Sequence, residues 1–325
     1  MINEKTAQNH PGDKNHPGIV FMGTPAFAVA SLAALVKAGY RVLAVVTAPD
    51  KPAGRGMALQ QSAVKQYAVT HGIEVLQPLK LKDPVFLQTL KSLRADLQVV
   101  VAFRMLPELV WDMPPLGTIN VHGSLLPKYR GAAPINWAII NGERETGVTT
   151  FKLQHAIDTG HILMQKKMNI GEDETAGELH DRMMLLGADL LVKTVNGLMT
   201  GTLVEKPQDQ LANSNINSLL KHAPKIFTET CRINWQNDIN DIYNLVRGLS
   251  PYPAAFTTLN SKTLKIFRCR KELSNDFLIA GSLHSDGKTF LKFACAGGYI
   301  HVTELQLEGK KRMDVESFLR GHRFN

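Results

Sequence analysis

A chain of 325 residues, 44% of them hydrophobic, is long enough for two globular domains. Its three cysteines, Cys231, Cys269 and Cys295, form no C-x-x-C pair, which argues against a disulfide framework or a zinc site, and no apolar run approaches the roughly 18 residues that mark a membrane span. A formal charge of +8 is compatible with an anionic partner without requiring one.

Residues 1–17 ("MINEKTAQNHPGDKNHP") are polar, proline-broken and without the apolar stretch of a signal peptide. They are expected to be a mobile extension of a cytoplasmic protein. "GIVFMGTP" then predicts a strand ending in a glycine turn. "AFAVASLAALVKAG" predicts a helix stopped at Gly39, and "YRVLAVVTAP" a second strand. "DPVFLQTLKSLR" predicts a helix with Asp83 as N-cap and Pro84 in its first position. "ADLQVVVAF" and "LGTINVHG" are a third and fourth strand, "PINWAIINGE" a helix and "ETGVTTFKLQ" a strand. A long helix from near Thr175 to about Met199 opens with Glu178 three residues after Thr175, a capping box. Nearly all-apolar strands alternating with helices predict an open, mostly parallel, Rossmann-like α/β sheet with helices on both faces.

Beyond Gly201 the chain becomes polar, and a linker is expected over 206–222. A helix ("QNDINDIYNLVRGL"), a proline corner ("SPYPAAF") and several short strands follow, which predict a small β-barrel or sandwich. The domains are therefore expected at 18–205 and 223–325. Residues 223–325 hold 15 Lys+Arg and 10 Asp+Glu, net +5 of the total +8, so the smaller domain carries most of the basic excess.

The first strand-turn-helix reads G-T-P-x-F. It has neither the G-x-G-x-x-G of dinucleotide binding nor a G-x-x-x-x-G-K-[ST] phosphate loop, which disfavours a nicotinamide or ATP enzyme. "DTG" at Asp158–Gly160 is also the aspartic-protease triplet, but that chemistry shares one proton between two aspartates and this chain has one such triplet.

Asn120 and His122 stand two residues apart at the end of a strand, so they share a face. Ligands of open α/β sheets bind outside such strand ends. "GSLLP" turns the chain there, and the next strand leads to Asp158, which an adjacent strand end could bring near the imidazole. Asn120 and His122 could donate to a developing oxyanion, and Asp158 could hold the imidazolium and relay protons, a set suited to acyl transfer without a protein nucleophile. Each residue also has a structural reading: a hydrogen-bonded histidine, a turn asparagine, an aspartate cap. From the residues alone both readings stand.

The span "NVHGSLLPKYRGAAPINWAIINGERETGVT" with "IDTG" resembles the 10-formyltetrahydrofolate-dependent formyltransferases. The resemblance also covers "FMGTPAFA", "VVTAPDKPAGRG", "HAPKI", "INW" and "SPYPAA", from about Gly18 to near the C-terminus. It implies that Asn120, His122 and Asp158 are catalytic, and that Ser124, Leu125, Leu126 and Pro127 line the folate site. The formyl donor is then 10-formyltetrahydrofolate, with no metal. The P-A-G-R-G loop and the C-terminal signatures imply that the acceptor is the α-amine of methionyl initiator tRNA, with Lys51 and Arg55 reaching its acceptor end. Lys265, Arg268, Arg270, Lys271, Lys310, Lys311 and Arg312 are further candidates for RNA contact, where an ordinary solvated strand and turn is the other reading. The other acceptor class left open is a small amine, such as an amino sugar nucleotide or glycinamide ribonucleotide. The protein is expected to act as a monomer. Two positions depart from the family pattern. Ala156 stands where glycine is common, and Arg104 replaces a glycine in "VAFRMLP", a segment expected to border the folate pocket and one residue shorter than usual.

Overall fold

Each apolar run that alternates with a helical segment becomes a strand of one sheet in the computed structural model, which describes residues 17–53, 58–211, 220–276 and 279–321. Residues 1–16 of the expected extension (1–17), and Arg55, lie outside the described residues. The first part of the chain runs β1 (Gly18–Gly23), α1 (Ala26–Lys37), β2 (Arg41–Val46), β3 (Lys51–Ala53), β4 (Ala58–Gln60), α2 (Ala63–Thr70), β5 (Glu74–Leu76), α3 (Pro84–Ser92), β6 (Leu97–Val101), α4 (Glu108–Trp111) and β7 (Thr118–His122). Then come β8 (Arg130–Gly131), α5 (Pro134–Ile140), β9 (Glu145–Lys152), β10 (Ile162–Asn169) and α6 (Ala176–Met199). The remainder comprises α7 (Gln208–Leu211), β11 (His222–Ala223), α8 (Ile239–Leu249), β12 (Ala255–Leu259), β13 (Lys262–Leu273), β14 (Leu283–Ser285), β15 (Leu291–Cys295), β16 (Gly298–Leu307), β17 (Met313–Asp314) and α9 (Val315–Arg320).

The main sheet has seven strands in the order β10-β9-β7-β6-β1-β2-β5. β5, β2, β1, β6 and β7 are parallel, and β9 is antiparallel to β7. The chain winds outward from β1 first to β2 and β5, then to β6 and β7. The winding direction therefore reverses between β1 and β6, which opens a crevice at their carboxyl ends. Gly23 makes this close approach possible: a Cβ there would meet the Val101 carbonyl at 3.0 Å and the Ala28 Cβ at 2.6 Å.

The expected helix ends are present. Gly39 follows α1 with φ +82°. Asp83 caps α3 by accepting from the backbone N–H of Val85 and Phe86. At the start of α6, Glu178 Oε2 accepts from the Thr175 backbone N–H at 2.9 Å, and Glu178 Oε1 accepts from Arg268 Nη2 at 2.5 Å. The Thr175 N–H above all, with Arg268 and against some burial, holds the Glu178 carboxyl at about 2. Because the folded value is depressed, this contribution is present above the ordinary 4.5 and is lost as pH falls toward about 2. Glu178→Gln is therefore expected to lower Tm by a few degrees at neutral pH, as loss of a cap does. The gap to wild type should close as melts are repeated from pH 4.5 downward; a gap independent of pH would remove the carboxylate from the cap.

By contact, the chain forms two compact units. One comprises Met1–His122, Thr149–Met164 and Met184–Pro207; the other comprises Gly123–Val148, Gln165–Met183 and Gln208–Asn325. In the second, the strands run β12-β13-β16-β15-β14, with β17 on β16. The sheet is antiparallel and curls into a half-barrel, the form that the barrel expectation takes. α8 presents Ile239, Ile242, Tyr243, Val246 and Leu249 to its core, at the i, i+3, i+4, i+7 spacing of a one-faced helix.

Candidate active site

β7 is buried by its neighbours β6 and β9, and its last residues reach the carboxyl edge of the sheet. Asn120 pairs with Val100 on one side and Phe151 on the other. Its backbone is held by the sheet, and its half-buried amide has no side-chain hydrogen bond among the described residues. His122, 7% exposed, follows on the same face. Phe151 packs edge-on against its ring, with centroids 6.4 Å apart.

Asp158 arrives by a different route from the one expected. Because β9 is antiparallel to β7, His122 lies opposite Thr149 and the far end of β9, Lys152, lies opposite Ile119. No strand end therefore brings Asp158 to the imidazole. The loop after β9 carries it back, placing Oδ2 3.8 Å from His122 Nδ1, an ion-pair separation when the ring is protonated. Asp158 has φ +54°, a left-handed conformation that Asp tolerates better than most residues. The loop is closed by the His161 carbonyl, which accepts from Lys152 N–H at 3.0 Å. At Gly160 the two backbone segments touch: a Cβ would sit 1.6 Å from the Lys152 carbonyl oxygen. The glycine of D-T-G is thus a packing requirement. Ala156 keeps a negative φ, so its Cβ is tolerated, and its carbonyl accepts from Thr159 Oγ1 at 2.9 Å.

The four residues after Gly123 form a tight, internally bonded loop. Ser124 is fully buried, and its Oγ donates to the Lys128 carbonyl at 2.7 Å. Lys128 N–H donates to the Leu125 carbonyl, and the Leu126 carbonyl accepts from Gln165 Nε2 at 2.8 Å. Leu126 is buried, Leu125 and Pro127 are half-buried, and the Leu126–Pro127 peptide is cis.

Lys51 is exposed at the start of the β3–β4 hairpin, paired with Gln60. The base of this hairpin is anchored by Asp50, whose carboxylate accepts from Lys65 at 2.5 Å and from Gln77 at 2.8 Å. Of the seven C-terminal cations, Arg268 pairs with Glu178 and Arg312 with Glu304. Lys265, Arg270, Lys271, Lys310 and Lys311 have no acidic partner within ion-pair distance among the described residues. The sequence patterns assign no role at the site to Phe151, and Gly160 enters them only as the last residue of D-T-G. One is an aromatic in an apolar strand and the other a glycine in a turn, and only their distant partners mark them out. No group of three or more His, Cys, Asp or Glu among the described residues is arranged to hold a metal ion. No described helix is long and apolar enough to cross a membrane.

A doubly wound sheet with an amide, an imidazole and a carboxylate gathered where its strands end is the frame of an α/β group-transfer enzyme. Residues 18–195 match the family model described as formyl transferase, and residues 225–323 match that described as formyl transferase, C-terminal domain. The chain belongs to the formyl transferase family. It is 53% identical over 309 residues to the methionyl-tRNA formyltransferase of Parabacteroides distasonis, covering 93% of this chain and 95% of that protein. To the protein of the same name from Flavobacterium johnsoniae it is 48% identical over 311 residues, covering 94% and 96%. Among solved structures, it is similar to an N-formyltransferase from Helicobacter canadensis in complex with folinic acid and dTDP-3-aminofucose. That likeness has a TM-score of 0.65 at 21% identity, covers 91% of this chain and 100% of that one, and shows the fold alone.

Proposed function

We propose that this chain transfers the formyl group of 10-formyltetrahydrofolate to the free α-amine of methionyl initiator tRNA, giving N-formylmethionyl-tRNA. The observation that carries this reading is an identity of 53% that extends over 95% of a methionyl-tRNA formyltransferase, basic C-terminal part included. The amine nitrogen attacks the formyl carbon, and the carbonyl oxygen becomes an oxyanion. The Asn120 amide and a protonated His122 donate hydrogen bonds to that oxygen. Asp158 holds the imidazolium and takes the proton leaving the amine. The bond from carbon to N10 then breaks, the proton passes to N10, and tetrahydrofolate leaves. No metal takes part.

Ser124, Leu125, Leu126 and Pro127 form the wall of the folate site in this reading. Residues 18–205 catalyse, 206–222 link, and 223–325 bind the tRNA, with Lys51 and Arg55 at its acceptor end. A cavity of about 330 Å³, whose wall holds Arg247, Arg268, Arg270 and Lys271 together with the one carboxylate of Asp173, supports a phosphate-binding role for the second unit. The enzyme works in the cytoplasm as a monomer.

A small amine as acceptor is the second reading, favoured by the bound amino sugar of the Helicobacter canadensis protein. Labelled 10-formyltetrahydrofolate supplied with methionyl-tRNA and dTDP-3-aminofucose together separates the two. Label is expected in the tRNA; label in the sugar and none in the tRNA would reverse the assignment. The KM for tRNA is also expected to climb steeply between about 50 and 200 mM salt, because phosphate neutralisation releases counterions. A flat response would mean that the basic residues do not engage the RNA backbone.

A further inference from the structure

The loop that carries Asp158 leaves the sheet at Lys152, the last residue of β9, and returns at His161, just before β10. Its tip is weakly held. His155 lies 3.2 Å from Glu108 and meets the Trp111 ring edge-on, but the His155 side chain is 77% exposed and the contact faces water. The position of Asp158 therefore depends on the stem of the loop. One backbone hydrogen bond closes that stem, from Lys152 N–H to the His161 carbonyl.

A side chain from outside the loop closes it a second time. Glu205, beyond the end of α6, accepts from Lys152 Nζ through Oε1 at 2.5 Å and from His161 Nδ1 through Oε2 at 3.2 Å. Each oxygen of one carboxylate thus takes a different side of the stem. The backbone around Glu205 is itself anchored. Lys206 and Ile162 exchange two backbone hydrogen bonds, each of 2.9 Å. Upstream, Thr202 N–H donates to the Gly197 carbonyl at 3.0 Å, and Leu203 packs so closely on α6 that a Cβ at Gly197 would lie 2.6 Å from its Cγ.

Burial pushes the Glu205 carboxyl up, but the hydrogen bonds from Lys152 and His161 outweigh it and hold the group below its ordinary 4.5. Glu205 is therefore ionised at neutral pH. The side chains of Lys152, Glu205 and His161 are 30%, 36% and 38% exposed, so the cluster contributes little to global stability. Its location matters more than its strength, because it joins the two ends of the segment that bears Asp158. We propose that Glu205 is a positioning residue for formyl transfer, which bridges Lys152 and His161 and so holds the Asp158 carboxylate beside His122. This rests on the reading of Asp158 as a reacting group.

A double-mutant cycle on the full-length protein tests the bridge, read as the single-turnover rate with saturating 10-formyltetrahydrofolate and methionyl-tRNA. Glu205→Ala is expected to lower that rate about tenfold with little change in KM for either substrate. This is less than the roughly 10² that a 1 Å misplacement costs, because the backbone bond of the stem remains. In the Asp158→Asn background the same substitution should cost less than about twofold, since no carboxylate is left to place. A side chain that only stabilised the fold would lower Tm in both backgrounds and show no such coupling. A wild-type rate for Glu205→Ala, or an equal loss with and without the Asp158 carboxylate, overturns the proposal. So does a raised KM for tRNA with an unchanged turnover rate, which would assign Glu205 to the RNA. A normal rate for Asp158→Asn alone overturns the reading of Asp158 and the bridge with it, whereas a slow Asp158→Asn beside a normal Glu205→Ala removes the bridge only. Should the alanine variant fail to fold, Lys152→Met, which removes one arm of the bridge, decides through the same cycle, with a loss of about threefold expected only where Asp158 is intact.

Discussion

His122→Ala and Asp158→Asn are each expected to lower the rate of formyl transfer at saturating substrates by at least about 10², the usual loss when an oxyanion donor or a proton-transfer group is removed. The geometry explains why the two should fall together. Asp158 Oδ2 stands 3.8 Å from His122 Nδ1, so removing either side chain breaks the same pairing. Neither side chain fills an apolar core, so the circular-dichroism spectrum and KM for tRNA should change little. Combining the two substitutions should cost much less than the product of the single losses, because they act as a unit. Stopped-flow or quench measurement of one turnover reads the chemical step itself. A near-normal single-turnover rate for either variant would exclude that residue from the mechanism.

Gly160→Ala is expected to have a similar effect on rate without touching a reacting group. A methyl placed 1.6 Å from the Lys152 carbonyl oxygen cannot be accommodated by a side-chain rotation, because both atoms are fixed to backbone. The loop must part from the end of β9, and the bond from Lys152 N–H to the His161 carbonyl is lost with it. Asp158 lies two residues away on the same short loop, so its carboxylate moves. A displacement of about 1 Å is enough to cost on the order of 10² in rate. The expected signature is a large fall in kcat with a lowered Tm and near-normal tRNA binding. A variant with full kcat would show that the loop gives way without moving Asp158.

The sequence alone determined those features that depend on neighbours a few residues apart. Asp83 and Pro84 open α3, Glu178 closes back on Thr175 at the start of α6, and Gly39 ends α1, all through contacts within one helical turn. Apolar runs alternating with helical segments were sufficient to read a covered α/β sheet, because burial on both faces imposes that pattern. Motif resemblance then marked Asn120, His122 and Asp158, though not the path by which they meet.

That path was decided by tertiary structure. β9 turns antiparallel, so Asp158 reaches His122 on a returning loop and not at a strand end. Phe151 becomes the wall of the imidazole, and Gly160 becomes indispensable only because Lys152 passes against it. Arg104, a departure from the family pattern in the sequence, acquires a place when the loops after β5 and β6 fold together and its guanidinium bridges 25 residues of chain to Leu79. Local patterns are legible because their partners lie within a turn. Contacts between distant segments are not, because they depend on which strand pairs with which, and many pairings are compatible with the same apolar runs.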